Sequence, residues 1–154
     1  MTKRLDYFST SPQAMKILLE LEDYLRQQFG TSGSVTDKVW ELVKLRVSQI
    51  NQCAFCIDLH SKEAIKQGEN PERIYGLNAW QDMPLYSELE QTALAWAELV
   101  ISNKQIPDEA YRNALETFGS QGLVDLTIAV NAINSWNRIA KTFKPEVGSY
   151  QPSE

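Results

Sequence analysis

Residues 36–51, TDKVWELVKLRVSQIN, carry apolar side chains at helical spacing on more than one face. Val39, Val43, Val47 and Ile50 form one stripe, and Trp40, Leu42 and Leu45 widen it. A helix with that pattern is predicted to be buried on most sides, so other helices must pack around it. The flanking sequence supplies them. In SPQAMKILLELEDYLRQQFG, Ser11 is the expected N-cap, Pro12 the first helical residue and Gly30 the stop, with Ile17, Leu18, Leu21 and Leu25 at helical spacing. TSGSV, residues 31–35, reads as a loop.

The same grammar continues along the chain. Gly68 ends the segment after the central helix, and Asn70–Pro71 opens the next one. Ser87 and Glu90 stand in capping-box spacing before a run with Leu89, Ala93, Ala97 and Val100 on one face. PDEAYRNALETFG reads as a short helix, and residues 121–143 as a long, mostly apolar one. The tail KPEVGSYQPSE holds two prolines and little core material, and is expected to fray. The β-branched residues fall inside helical patterns, and no Asn-Gly or Asp-Gly hairpin turn occurs. The expected fold is all-α, a compact bundle of six or seven helices in one domain spanning 1–154.

Charge narrows the function. The 15 basic and 20 acidic residues leave a net charge of −5 with no basic cluster. That argues against nucleic acid and against an anionic membrane surface. The polar start MTKRLDYFSTSPQ has no signal-peptide pattern, and no apolar run reaches the roughly 20 residues that span a bilayer. The expectation is a cytoplasmic protein. In that reducing compartment a lone cysteine pair is more often catalytic, redox-active or metal-binding than a structural staple.

Both cysteines and the only histidine lie in NQCAFCIDLHSKEAIKQG, residues 51–68. On a helix at about 100° per residue, Cys53, Cys56 and His60 share an arc of roughly 60°. His60 follows Cys56 by one turn, a spacing at which side chains meet. Free N–H groups at a helix start favour a thiolate, and a CxxC pair can close a disulfide there. His60 is suited to give or take a proton near neutral pH. A buried hydrophobic role for the cysteines and a core role for His60 remain open alternatives. Structural zinc is disfavoured, because it needs four ligands and the chain supplies three soft ones.

The longer pattern ELVKLRVSQINQCAFCIDLH, residues 41–60, runs Glu, eleven residues, Cys, two, Cys, three, His. It resembles the signature of the alkylhydroperoxidase D-like core within the carboxymuconolactone decarboxylase family. The similarity extends through HSKEAIKQGENPERIYGLNAW, SELEQTALAWAELVI and INSWNRIAKTF, about residues 36–143 in all. The resemblance implies an all-helical thiol peroxidase or disulfide reductase without a cofactor or metal. Cys56 would attack the peroxide and Cys53 would donate a proton and then close the disulfide. His60 and Glu41 would relay protons. It also implies a hydroperoxide substrate, a lipoyl- or thioredoxin-like dithiol reductant, and a homo-oligomer, trimer or hexamer. A lactone-acid decarboxylase and a non-catalytic redox sensor are the alternatives.

Several residues need separate expectations. Taken from its own helix, Glu41 lies off the main stripe beside Lys44 and Ser48, where a solvated glutamate would sit; only the resemblance brings it to the thiols. Phe55 stands where some members of the family carry a second histidine. Trp40, Trp80, Trp96 and Trp136 are expected in the core or at a subunit interface. Asn137 and Arg138 are expected at a helix end or between subunits. The apolar face of 123–143 would suit a buried interface.

Overall fold

A computed structural model describes residues 4–31 and 33–153. Among the described residues it is all-α, with seven α-helices, one 3-10 helix and no strand. The α-helices are α1 (Tyr7–Thr10), α2 (Pro12–Thr31), α3 (Asp37–Ile50), α4 (Ala54–Lys66), α5 (Pro71–Tyr75), α6 (Glu88–Ile101) and α7 (Asp108–Phe143). The 3-10 turn Leu77–Asp82 joins α5 to α6. No helix is long and apolar enough to cross a membrane among the described residues.

The central helix is α3, as its pattern requires. It packs against α4, α6 and α7, and Val39, Trp40, Leu42, Val43, Leu45 and Val47 are all buried. Ile50, expected on the same stripe, is 39% exposed because the helix ends there. Ile17 of α2 is also exposed, while Met15, Leu25 and Phe29 take the core positions of that helix. Ser11 stands directly before α2, where its carbonyl accepts the Met15 N–H at 3.1 Å, and its own N–H closes the short α1, which Asp6 caps. The sequence reading missed α1, whose single turn is too short to show a period.

Helix α7 is broken where the sequence suggested two helices. Gly119 adopts φ 71° and ψ 171°, a region open only to glycine. The apolar face beyond it is consumed by the protein's own core: Leu123, Leu126, Ala129, Val130 and Ile133 pack with α2, α3 and α6 residues. Val124 of the same segment points elsewhere and is exposed.

The turn between α3 and α4 is built from backbone hydrogen bonds. Gln52 sits in the left-handed region, φ 53°. Its N–H donates to Gln49 O at 3.0 Å, and the Cys53 N–H donates to Ser48 O at 3.0 Å. These paired bonds form a Schellman closure, so the end of α3 dictates where Cys53 lies. Side chains of α7 brace it. Asn137, fully buried, donates to Ser48 Oγ at 3.0 Å and accepts from Asn51 Nδ2 at 2.9 Å. Lys141 Nζ donates to Asn51 O at 2.6 Å. Asn137 is thus an internal brace, and Arg138 beside it is exposed.

Replacing Asn137 by alanine leaves this buried network short of a donor and an acceptor. The expected cost is about 1–3 kcal/mol, measured as a lower urea midpoint with an unchanged slope.

Candidate active site

Cys53 is the N-cap of α4 rather than a residue of its first turn. Its Sγ lies 3.4 Å from the Cys56 N–H. Cys53 and Cys56 are joined by a disulfide, with Cα atoms 5.3 Å apart, inside the usual bridging range. The two sulfurs differ in what they face. Both pack with Ala140 of α7 and are almost wholly buried, Cys53 at 1% and Cys56 at 4%. Only Cys56 borders the cavity of about 340 Å³ that opens beside α4.

His60 lines the same cavity. Its Nδ1 is 2.5 Å from Glu41 Oε1. Glu41 is 3% exposed, not solvated as its own helix suggested. Its Oε2 lies 2.8 Å from Lys44 Nζ, and that ammonium stacks 3.8 Å from the centroid of the Trp40 ring. A carboxylate so far from water needs both oxygens engaged. Burial alone pushes the Glu41 carboxyl up. The hydrogen bond to His60, the His60 charge and Lys44 outweigh burial and hold it below its ordinary value. When the ring is neutral, an ionised Glu41 accepts the Nδ1 hydrogen, which leaves Nε2 as the ring's proton-accepting atom. The four residues expected from the sequence, Glu41, Cys53, Cys56 and His60, therefore meet in one place. Cys56 and His60 front the cavity, with Cys53 and Glu41 behind them.

The cavity walls hold residues that the sequence reading missed. Apart from Phe55 and Leu59 on α4 they come from distant elements: Tyr7 and Phe8 on α1, Leu19 and Glu22 on α2, Ile133 and Trp136 on α7. Trp136 packs against the main core and also walls the cavity; its Nε1 donates to Glu22 Oε1 at 3.1 Å, and its ring stacks on Phe8. Phe55, where a second histidine stands in some relatives, adds apolar wall instead of a proton carrier. Among the described residues no group of His, Cys, Asp and Glu is placed to hold a metal.

The tail corrects another expectation. It does not fray; it lies along α4. Lys62 Nζ donates to Tyr150 O at 2.9 Å, Tyr150 donates its hydroxyl to Glu63, and Lys66 donates to Ser153 O. The Tyr150 side chain borders the cavity. Burial and the Glu63 bond push its hydroxyl up to about 12. The prolines did not prevent docking, because α4 offers Lys62, Glu63 and Lys66, three charged side chains spread over about one turn.

Residues 12–99 match the description of a known family. The chain belongs to the carboxymuconolactone decarboxylase family. The uncharacterized protein YdfG of Bacillus subtilis is 42% identical over 142 residues, covering 91% of this chain and 93% of that one. A protein of unknown function from Agrobacterium tumefaciens, described as a candidate antioxidant defence protein AhpD, shares the fold with a TM-score of 0.84. It is 35% identical, with 99% of this chain and 100% of that chain covered. An uncharacterized peroxidase-related protein from a Silicibacter species has a TM-score of 0.78 at 16% identity, over 92% of this chain and 74% of its own. That likeness concerns the fold alone. The alkylhydroperoxidase D-like resemblance of residues 41–60 agrees with these matches.

Two outcomes follow from the geometry. Because the folded carboxyl of Glu41 lies below its ordinary value of 4.5, the stability it contributes is present above that pH and lost as pH falls through the lower folded value. Urea midpoints of wild type and Glu41→Gln should differ at neutral pH, begin to approach each other near pH 4.5 and converge only as the pH falls through the lower folded value. Tyr150→Ala should open the wall beside Cys56. In the reduced protein, a bulky maleimide should then label Cys56 several-fold faster, while the small iodoacetamide gains less.

Proposed function

We propose that this protein is a thiol-dependent peroxidase or disulfide reductase of antioxidant defence, cycling Cys53 and Cys56 between dithiol and disulfide. The observation that carries the reading is the asymmetry of the pair: Cys56 borders the cavity with His60, and Cys53 sits behind it within bonding distance. The antioxidant description of the Agrobacterium tumefaciens relative supports the same class of chemistry.

In the reduced state His60 takes the Cys56 proton at Nε2, and the thiolate attacks the outer oxygen of a hydroperoxide. An S–O bond forms and the O–O bond breaks. The alcohol leaves with the proton returned by His60, and Cys56 becomes a sulfenic acid. Cys53 then attacks Cys56 sulfur as a thiolate, its proton leaving with the hydroxyl as water, and the disulfide closes. A dithiol reductant, a lipoyl- or thioredoxin-like partner, gives two electrons and two protons to restore both thiols. The sum is hydroperoxide plus dithiol giving alcohol, water and disulfide. Glu41 keeps the ring in the orientation and tautomer this cycle needs, as buried carboxylates do for histidines elsewhere. A reducing compartment such as the cytoplasm suits an enzyme whose disulfide must reopen on every turnover.

The test is hydroperoxide consumption with a dithiol supplied in excess. Cys56→Ser should abolish turnover. Cys53→Ser, assayed without the dithiol, should consume a single equivalent of peroxide and hold Cys56 as a sulfenic acid, and His60→Ala should lose about 10²-fold or more in rate. Full turnover by Cys56→Ser would overturn the reading. So would peroxide use that stays stoichiometric in the wild type with every dithiol tried, which favours a sensor. Turnover of an unsaturated lactone acid by a variant with both cysteines replaced by alanine would favour a decarboxylase.

A further inference from the structure

Lys44 was not among the residues expected at the site, and the cycle above leaves it without a role. It is 7% exposed, unusual for a lysine, and it borders the cavity that holds Cys56 and His60. Its position is held from two sides. The Trp40 ring, one turn earlier on α3, lies beneath the ammonium at 3.8 Å, and Glu41 Oε2 lies 2.8 Å away. A lysine stem that merely filled space would keep its charged end in water. Here the charged end is turned inward to the carboxylate that holds His60.

The charges around the cavity show what that placement does. Its titratable lining is Tyr7 from α1, Glu22 from α2, Lys44 from α3, Cys56 and His60 from α4, and Tyr150 from the tail. Helix α7 contributes Ile133, Trp136 and Ala140, none of which titrates. Glu41 stands directly behind His60. The fixed charges are therefore two carboxylates, Glu22 and Glu41, and one cation. Without Lys44 a thiolate on Cys56 would form beside two uncompensated anions in an apolar pocket. Nearby like charges disfavour ionisation strongly in such surroundings.

We infer that Lys44 is a positioning residue of this site: by neutralising the second oxygen of Glu41 it allows Cys56 to ionise and His60 to keep a free Nε2. The inference rests on the thiol-redox reading above, but its test does not need peroxidase activity. The Cys53–Cys56 disulfide is reduced, and the pH dependence of Cys56 alkylation by iodoacetamide is followed by mass spectrometry of the peptide that carries it. Alkylation reports the thiolate fraction directly.

Lys44→Met should move the midpoint of that curve upward by about one pH unit. Lys44→Arg, which keeps the charge, should restore it close to the wild-type midpoint. In a Glu41→Gln background the carboxylate charge is gone, so Lys44→Met should move the midpoint far less; the double-mutant cycle isolates the coupling. Circular dichroism identifies any variant that does not fold, and Lys44→Gln replaces Lys44→Met if that variant fails. A purely structural Lys44 would change stability and leave the midpoint in place. An unmoved midpoint in a folded Lys44→Met or Lys44→Gln variant overturns the inference, as does a shift of equal size in the Glu41→Gln background. Failure of peroxide turnover in the wild type would sink the proposed function and leave this measurement readable.

Discussion

A carboxylate buried to 3% exposure governs this structure. Glu41 cannot give up water without partners, and it obtains two: His60 from α4 and Lys44 from its own helix. Satisfying it requires α4 to cross α3 at one register, with His60 opposite Glu41. That register also puts Cys56, one turn before His60, at the mouth of the cavity. Packing of α3 against α4 and the assembly of the site are in this sense one event.

The turn that joins these helices serves the same end. Gln52 in the left-handed region lets the Cys53 amide reach back to Ser48, so α4 starts at a fixed distance from the end of α3. Asn137 and Lys141 from α7 then hold the turn through Ser48 and Asn51. Buried polar groups arranged this way specify one geometry, because a shifted turn would leave several of them unpaired. The disulfide is thus carried on a rigid corner, while the aromatic wall around it is gathered from several elements: Tyr7 and Phe8 on α1, Phe55 on α4, Trp136 on α7 and Tyr150 in the tail.

Much of this was open to reading in one dimension. Capping residues at Asn70 and Ser87, the stop at Gly68 and the break at Gly119 are local devices, and each acts where its residue type demands. Other features were misread for a consistent reason. Glu41, Lys44 and Ser48 form a polar stripe on α3, and a polar stripe normally marks water. Here it marks the face turned to α4 and α7. The tail's prolines and small core content point to fraying, and the feature that holds it, the charged edge of α4, lies 87 or 88 positions away.

What the amino-acid order decided alone was the helical class, the punctuation of most helices, and the clustering of two thiols and an imidazole within one turn-and-helix segment. These depend on spacing and on backbone preferences that act over a few residues. Only the tertiary structure decided that Cys56 rather than Cys53 faces the cavity, that Glu41 and Lys44 are interior charges, and that Trp136 and Tyr150 enclose the site. Those outcomes depend on which faces of remote helices meet, and burial changes the meaning of a charge in a way no local pattern encodes.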